Sequence, residues 1–565
     1  MSDNKRSMRK LIPMTIRLFK MAKPMKKLLI ISTISSIIGS LSHMGLMGFG
    51  AMLVLSSAGY AGGSPIMWGV LVLICSLSIA LNRYLEGYTS HVGAYGLLCD
   101  MRVDMYETLR TLAPACLVDR KKGDIISVAV ADIETIEIFF AHTIGPFFTV
   151  VLLPLVSLII AYFVNPLFAL TLLPIYLVIS VVLPLVAIRA GQRIGMEYRE
   201  ALGSLKTVTL EGVYGLRDIQ IFGAGDAELG KVVNETAQIN RIARFMTLHR
   251  QIVTSAPTFF IYLARIAIAA VTIYLAYTGQ GSSVGVIVLS FVVAASFTTT
   301  MTLTTIVSSL LETYAAAARV FEIEDMQPKV VESADAIDIT SIDSIVFDNV
   351  SFAYTDDGKE VLKNVSFSLE RGETLGVVGE SGIGKSTIIR LLLRFWEVSD
   401  GEILINGTPL KDISLHSLRS KVAMLEQDTF IFDDTITANI ALGKPEASKE
   451  DITKAAKQAG IHNFIETLPD GYETRMGELG DRISGGEKQR IGIARTLMMN
   501  PDVLVMDEPT SSLDVLSEKA FLKTLEEISK DKAVFIVSHR PSTLTGCSRI
   551  VEIKDGLVVE RSIAS

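Results

Sequence analysis

Cysteine is scarce in this chain, and the four present (Cys75, Cys99, Cys116 and Cys547) are widely spaced, with no CxxC pair. That spacing argues against a disulfide framework and leaves the thiols as inert side chains. A strong charge of either sign is also missing. The 53 basic and 60 acidic side chains leave a formal net charge of −7, without the basic excess of a nucleic-acid binder. No small-residue cleavage site follows the basic N-terminus, so no signal peptide is expected. Internal repeats and low-complexity runs are absent. What the chain has in excess is apolar residues: 49% of 565 are hydrophobic and the mean hydropathy is +0.42. The excess lies before residue 312, whereas the remainder alternates charge with short apolar runs, as a soluble α/β domain does.

Apolar segments long enough to cross a bilayer fall near 28–56, 66–88, 137–163, 166–188, 251–278 and 284–312. The turns 57–65, 164–166 and 279–284 contain no Lys or Arg, whereas the N-terminal segment up to Lys27 is rich in both. By the positive-inside rule both termini are expected in the cytoplasm of a multi-pass protein of the cell membrane, in a bacterial setting. Residues 8–21 read as an amphipathic helix lying on the bilayer, with Leu11, Ile12, Ile16 and Phe19 among basic neighbours. The long charged segments 89–136 and 189–250 are helix-forming; a 25-residue extension would reach roughly 37 Å beyond the membrane. Gly123-Asp124 and Tyr214-Gly215 in these segments are candidate coupling contacts. The expected organisation is an all-α membrane domain of six spans over 1–322, an acidic linker over 323–344 and an α/β nucleotide-binding domain over 345–565.

Residues 379–386 read Gly-Glu-Ser-Gly-Ile-Gly-Lys-Ser, the pattern G-x-x-x-x-G-K-[ST] of a phosphate-binding loop. An apolar strand over 374–378 precedes it and a helix from Thr387 follows, so Gly379, Glu380, Ser381, Gly382, Ile383 and Gly384 wrap backbone N–H groups around an anion. In this arrangement Lys385 neutralises phosphate charge and the Ser386 hydroxyl ligates Mg²⁺. The apolar run 503–506 ends in Asp507-Glu508-Pro509. A carboxylate pair at a strand end suits Mg²⁺ coordination by Asp507 and polarisation of an attacking water by Glu508. A second apolar run, 533–538, ends in His539, placed to meet developing negative charge.

With these motifs in order, Ile483-Ser484-Gly485-Gly486-Glu487 resembles the signature of the ATP-binding-cassette proteins, with Ile for the commoner Leu and Glu for Gln. The resemblance implies ATP and Mg²⁺ as cofactors and assigns further roles. Tyr354 matches the adenine-stacking aromatic and Thr387 completes the loop. Gln427 matches the glutamine that bridges Mg²⁺ and water, Asp514 the D-loop aspartate, and 477–481 the segment that exporters place before the signature. In that family Gly485 and Gly486 close on ATP held by a second cassette. Six spans before one cassette therefore resemble a half-transporter of the exporter (type IV) fold, an ATP hydrolase coupled to transport that works as a dimer.

Arg83-Tyr84-Leu85-Glu86 with Ser90-His91, and the stretch 211–224, resemble the CydC and CydD half-transporters, although Gly87 stands where that group has a second Arg. That resemblance implies a heterodimer, with identical chains as the alternative, and a small-molecule cargo of haem or the thiols cysteine and glutathione. Arg265 lies about 14 residues into the fifth predicted span and His43 about 15 into the first, each roughly 20 Å deep. A charge at that depth needs a cavity or a partner, so Arg265 and His43, with Arg83 and His91 nearer the boundary, are the candidate cargo residues. An exporter-fold importer, a multidrug exporter and a non-pumping, ATP-gated subunit remain open on these residues.

Overall fold

The computed structural model describes residues 13–118, 120–278, 283–300, 303–355, 358–380, 382–477, 480 and 482–561. It separates into two compact units, Met1–Thr111 with Arg120–Met326, and Leu112–Asp119 with Gln327–Ser565.

The first unit is helical. Its long elements are α1 (Lys26–Ser57), α2 (Pro65–Leu112), α3 (Ile133–His142), α4 (Ile144–Val164), α5 (Pro166–Leu177), α6 (Leu183–Tyr214), α7 (Gly225–Thr278), α8 (Ser283–Thr300) and α9 (Leu303–Glu324). Backbone bonds closed within each segment are what an apolar solvent demands of a spanning chain. Among the described residues five helical stretches are long and apolar enough to cross a membrane, and Val284–Phe297 is a shorter apolar helix. The sixth predicted span, 284–312, is helical in α8 up to Thr300 and in α9 from Leu303; residues 301 and 302 lie outside the described residues. The third, 137–163, changes helix at Thr143.

Polar side chains inside the helical unit satisfy one another. The Tyr176 hydroxyl donates to Ser157 Oγ at 3.0 Å and is hydrogen-bonded to Ser296, while its ring stacks on Phe297 at 4.7 Å. Such bonds hold helices together where lipid offers no hydrophobic drive. The N-terminal helix is described over 13–21, so Leu11 and Ile12 lie outside the described residues. It is pinned by Arg17, which bonds Glu324 at 2.8 Å and Asp325 at 2.7 Å and lies 4.0 Å above the Phe321 ring.

The second unit carries two sheets. Strands β1 (Ser344–Phe352), β2 (Leu362–Glu370), β4 (Asp400–Ile405) and β5 (Thr408–Pro409) form an antiparallel sheet in the order β2-β1-β4-β5. The larger sheet contains β3 (Thr374–Gly379), β6 (Val422–Leu425), β7 (Val503–Asp507), β8 (Ala533–Val537), β9 (Arg549–Lys554) and β10 (Leu557–Arg561), in the order β10-β9-β3-β8-β7-β6. From β9 to β6 the strands are parallel, and all five residues of β8 are buried, as expected of a sheet covered on both faces. The 323–344 stretch is not uniform. Helix α9 runs to Glu324, while Ile337 pairs with Ile413 and Ile342 is fully buried in the second unit's core. Ala115, from the short segment grouped with that unit, joins the same core.

Candidate active site

Register decides the site. Val377 of β3 pairs with Val537 of β8, and Val537 pairs with Asp507 of β7, so three carboxyl-terminal strand ends lie in line. Ligands in open α/β sheets bind beyond such ends. The loop after β3 turns at Gly379 (φ 152°) and Gly384 (φ 119°), conformations that a side chain resists. A Cβ at Gly379 would meet the Ile553 carbonyl at 2.8 Å, and one at Gly384 would meet Val361 and Leu362 at 3.0 Å. Helix α10 (Lys385–Leu392) then starts two residues before the Thr387 expected from sequence. Its first N–H groups open toward the loop, because Gly384 supplies no side-chain cap. Ser381 lies outside the described residues; Glu380, Gly382 and Ile383 form the rest of the turn.

Lys385 is buried and folds back over the loop, donating from Nζ to the carbonyls of Gly379 and Glu380, both at 2.8 Å. Burial holds its ammonium below the usual lysine range, while Glu508 and Asp507 pull the other way. Ser386 Oγ donates to Asp507 Oδ2 at 2.8 Å, bringing together two hard oxygen groups of the kind that could ligate Mg²⁺. Mg²⁺ is bound by few protein oxygens when phosphates supply the others. Among the described residues no cluster of three or more His, Cys, Asp or Glu could by itself hold a metal ion. Gln427 is exposed two residues beyond β6, whose Leu425 pairs with Met506, so it stands at the same edge as Asp507.

Glu508 takes a left-handed backbone (φ 52°), a strained state that recurs where function imposes it. The conformation is held from both sides. Its N–H donates to Val537 O at 2.9 Å, and its carbonyl accepts from Gln489 Nε2 and the Ser511 N–H, each at 3.1 Å. The Glu508 carboxylate lies 3.6 Å from His539 Nε2, and half of the His539 side chain faces solvent. The carboxylate and the imidazole are thus adjacent, with the imidazole open to an incoming group. Tyr354 is held by hydrogen bonds to Thr387 Oγ1 and Arg390, each at 2.9 Å, and packs edge-on to Trp396.

Ser484 caps helix α11 (Gly485–Met498) in a capping box: its Oγ accepts the Glu487 N–H, and Glu487 Oε2 accepts the Ser484 N–H at 2.6 Å. This gives Glu487 a local role that does not require contact with ligand. Gly486 is confined, since a Cβ there would stand 3.0 Å from Ser512 O. Of the segment 477–481, Glu478, Leu479 and Asp481 lie outside the described residues. Asp514 caps α12 (Val515–Ile528), accepting from the N–H groups of Leu516 and Ser517 and from Ser517 Oγ at 2.6 Å. Gln489, which sequence reading passed over, is buried and spans two motifs: Nε2 donates to Glu508 O and Oε1 accepts the Ser512 N–H at 3.1 Å. Its signal was a carboxamide two places after Glu487 on an otherwise apolar helix face.

The ABC transporter model matches residues 362–511 and the ABC transporter transmembrane region matches 29–301. The chain is 34% identical over 534 residues to a probable ABC transporter ATP-binding/permease protein of Haemophilus influenzae, covering 91% of this chain and 94% of that one. This chain is an ABC transporter. A Bacillus subtilis ATP-binding/permease protein named for multidrug export is 31% identical, with 87% and 86% of the two chains covered. An ATP-dependent lipid A-core flippase of Syntrophus aciditrophicus is 37% identical over 364 residues, covering 64% of this chain and 60% of that one. The fold matches the ATP-bound structure of a bacterial Atm1-family ABC exporter, with a TM-score of 0.81 and 24% identity over 95% of this chain and 94% of that one. The ABC transporter is thus an exporter-type half-transporter, with membrane and ATP-binding regions fused. ATP-coupled transport is its family activity, and half-transporters of this kind work as dimers.

The four candidate cargo residues belong to the membrane unit. Arg83 is exposed and bonds Glu86 at 3.0 Å. His91 Nδ1 stands 3.8 Å from Glu137 Oε1, and its ring is 4.9 Å from that of His142. Arg265 is exposed on α7 and lies over the Tyr262 ring at 5.4 Å, whereas His43 is half-buried on α1. No hydrogen bond, ion pair or ring contact among the described residues joins Arg265 to His43.

Proposed function

We propose that two such half-transporters form an ATP-driven exporter in a bacterial cell membrane, with termini and cassettes cytoplasmic. The observation that carries the hydrolytic part is the alignment of Lys385, Ser386, Asp507, Glu508 and His539 on three adjacent strand ends. In this reading Lys385 and the loop N–H groups hold the phosphates, and Ser386, Asp507 and Gln427 hold Mg²⁺. Held there, the ion would supply charge neutralisation to the transferring phosphoryl group. Glu508 orients and deprotonates the attacking water, while His539 donates to the charge that develops. Tyr354 offers its ring to the adenine. Ser484, Gly485 and Gly486, with the neighbouring Glu487 and Asp514, face the ATP held by the second chain.

The cargo proposed is an anionic, carboxylate-bearing molecule of the haem or small-thiol class, which meets Arg265 and His43. Its support is Arg265, an exposed guanidinium on an apolar helix with no carboxylate partner among the described ion pairs. A second reading, export of lipophilic molecules, is favoured by the relatives named for multidrug export and lipid A-core flipping. ATPase activity in lipid nanodiscs separates the two, using haem, cysteine, glutathione and a lipophile panel with Glu508→Gln as the blank. Stimulation by haem or a thiol that Arg265→Glu abolishes supports the anionic cargo. Unchanged stimulation in Arg265→Glu, or stimulation by the lipophiles alone, removes it.

A further inference from the structure

At the junction of the N-terminal helix and α1 the membrane unit carries a groove of about 720 Å³, bordered by Lys20, Lys23 and Lys26 and walled by apolar side chains. The volume lies within the range of small-molecule sites, roughly 300–1,000 Å³. The three lysines are exposed, and among the described residues none of them forms an ion pair and no carboxylate lines the groove. The Arg17 bonds to Glu324 and Asp325 fix the N-terminal helix, so Lys20 and Phe19 remain on the groove side.

Charge and apolar surface are ordered along α1. The basic end is at Lys23 and Lys26, and Ile30 and Ile34 continue the wall over about 12 Å at 1.5 Å per residue. Phe148 of α4 closes the other side, and it, Ile30 and Ile34 are each about half exposed. Cations at one end of an apolar trough complement an amphiphile whose negative charge is confined to its head. Neither a soluble anion nor an apolar chain uses both halves of the trough.

We propose that this groove is a binding site for a diacyl phospholipid with an anionic headgroup, held by Lys20, Lys23 and Lys26 at the phosphate and by the α1–α4 wall along one acyl chain. Basic residues beside apolar surface select anionic lipid because each nearby cation adds attraction while the chain is buried. The proposal is independent of the cargo.

The test uses the full chain in detergent, titrated with phosphatidylglycerol or phosphatidylcholine, with retained lipid counted by native mass spectrometry. The expected result is a preference for phosphatidylglycerol of about tenfold or more. Lys20→Gln/Lys23→Gln/Lys26→Gln should reduce it to near one, while the corresponding triple arginine variant should keep it. Unchanged phosphatidylcholine retention in the glutamine variant checks that the helical unit remains folded. Equal retention of both lipids by the wild type, or an undiminished preference in the glutamine variant, overturns the proposal. Displacement of the lipid by millimolar glycerol phosphate also overturns it, because a bare phosphate site would then suffice. Disulfide cross-linking between Ile34→Cys chains would show a second copy occupying the groove and overturn it as well.

Discussion

At the scale of single residues, the site depends on groups that hold others in place. Glu508 adopts φ 52° because Val537, Gln489 and Ser511 satisfy its backbone. Gln489→Ala would leave the Ser512 N–H without its carboxamide partner and remove one of the two bonds to Glu508 O. Chemical denaturation should show a loss of about 1–3 kcal/mol. ATP turnover should fall more than ATP affinity if Glu508 is the base, because Gln489 is buried and bonds the Glu508 backbone. Unchanged turnover and stability would refute that role. Much of this site was legible from adjacent letters. Gly379 to Ser386 form one turn, and Asp507 and Glu508 are neighbours in sequence. The Gln489 bridge was not, because it joins α11 to β7 and to Ser512 only through the fold.

At the scale of elements, strand β3 passes very close to the segment carrying Cys547. A Cβ at Gly376 would meet Cys547 Sγ at 2.9 Å and Leu544 Cδ2 at 3.1 Å. Gly376→Ala should destabilise the protein by about 1–3 kcal/mol through overpacking, read as a lower thermal midpoint in detergent. Adding Cys547→Ala should restore part of the loss; a double variant no better than the single would exclude this contact. The Cys547 thiol is pushed up to about 11 by burial. At pH 8 it should therefore resist maleimide in the folded protein and react after unfolding. The Asp514 cap carries a pH signature. Bonds from the Ser517 hydroxyl and from backbone N–H groups hold its carboxyl below the usual aspartate range. Its contribution is complete above the unfolded value near 3.9 and is lost as pH falls through the lower folded value. The stability difference between wild type and Asp514→Ala should therefore shrink on acidification below pH 4; a constant difference would count against the cap.

At the scale of the whole molecule, the proposed dimer has each cassette supply a phosphate loop to one ATP and a signature helix to the other. If two identical chains assemble, Lys385→Ala and Ser484→Arg chains should each be inactive alone. Reconstituted together they should regain ATPase activity, since their mixed dimer contains one intact composite site. Wild-type chain inactive by itself would point instead to a distinct partner half. Division into an apolar helical part and an α/β cassette was readable because each solvent imposes its own pattern: unbroken apolar runs in lipid, buried strands between charged helices in water.

Sequence by itself determined the chemistry available: a glycine loop with Lys385 and Ser386, the Asp507-Glu508 pair, the Ser484 cap and long apolar helices. These are local, set by neighbouring residues and by backbone groups that any helix or strand end presents. Tertiary structure alone decided how that chemistry is assembled. Parallel register brings Gly379, Asp507 and His539 to one edge, Gln489 ties the signature helix to Glu508, and Arg17 turns the N-terminal helix so that three lysines border one groove. Each of these joins residues far apart in the chain, and their closeness follows from packing that no stretch of sequence specifies alone.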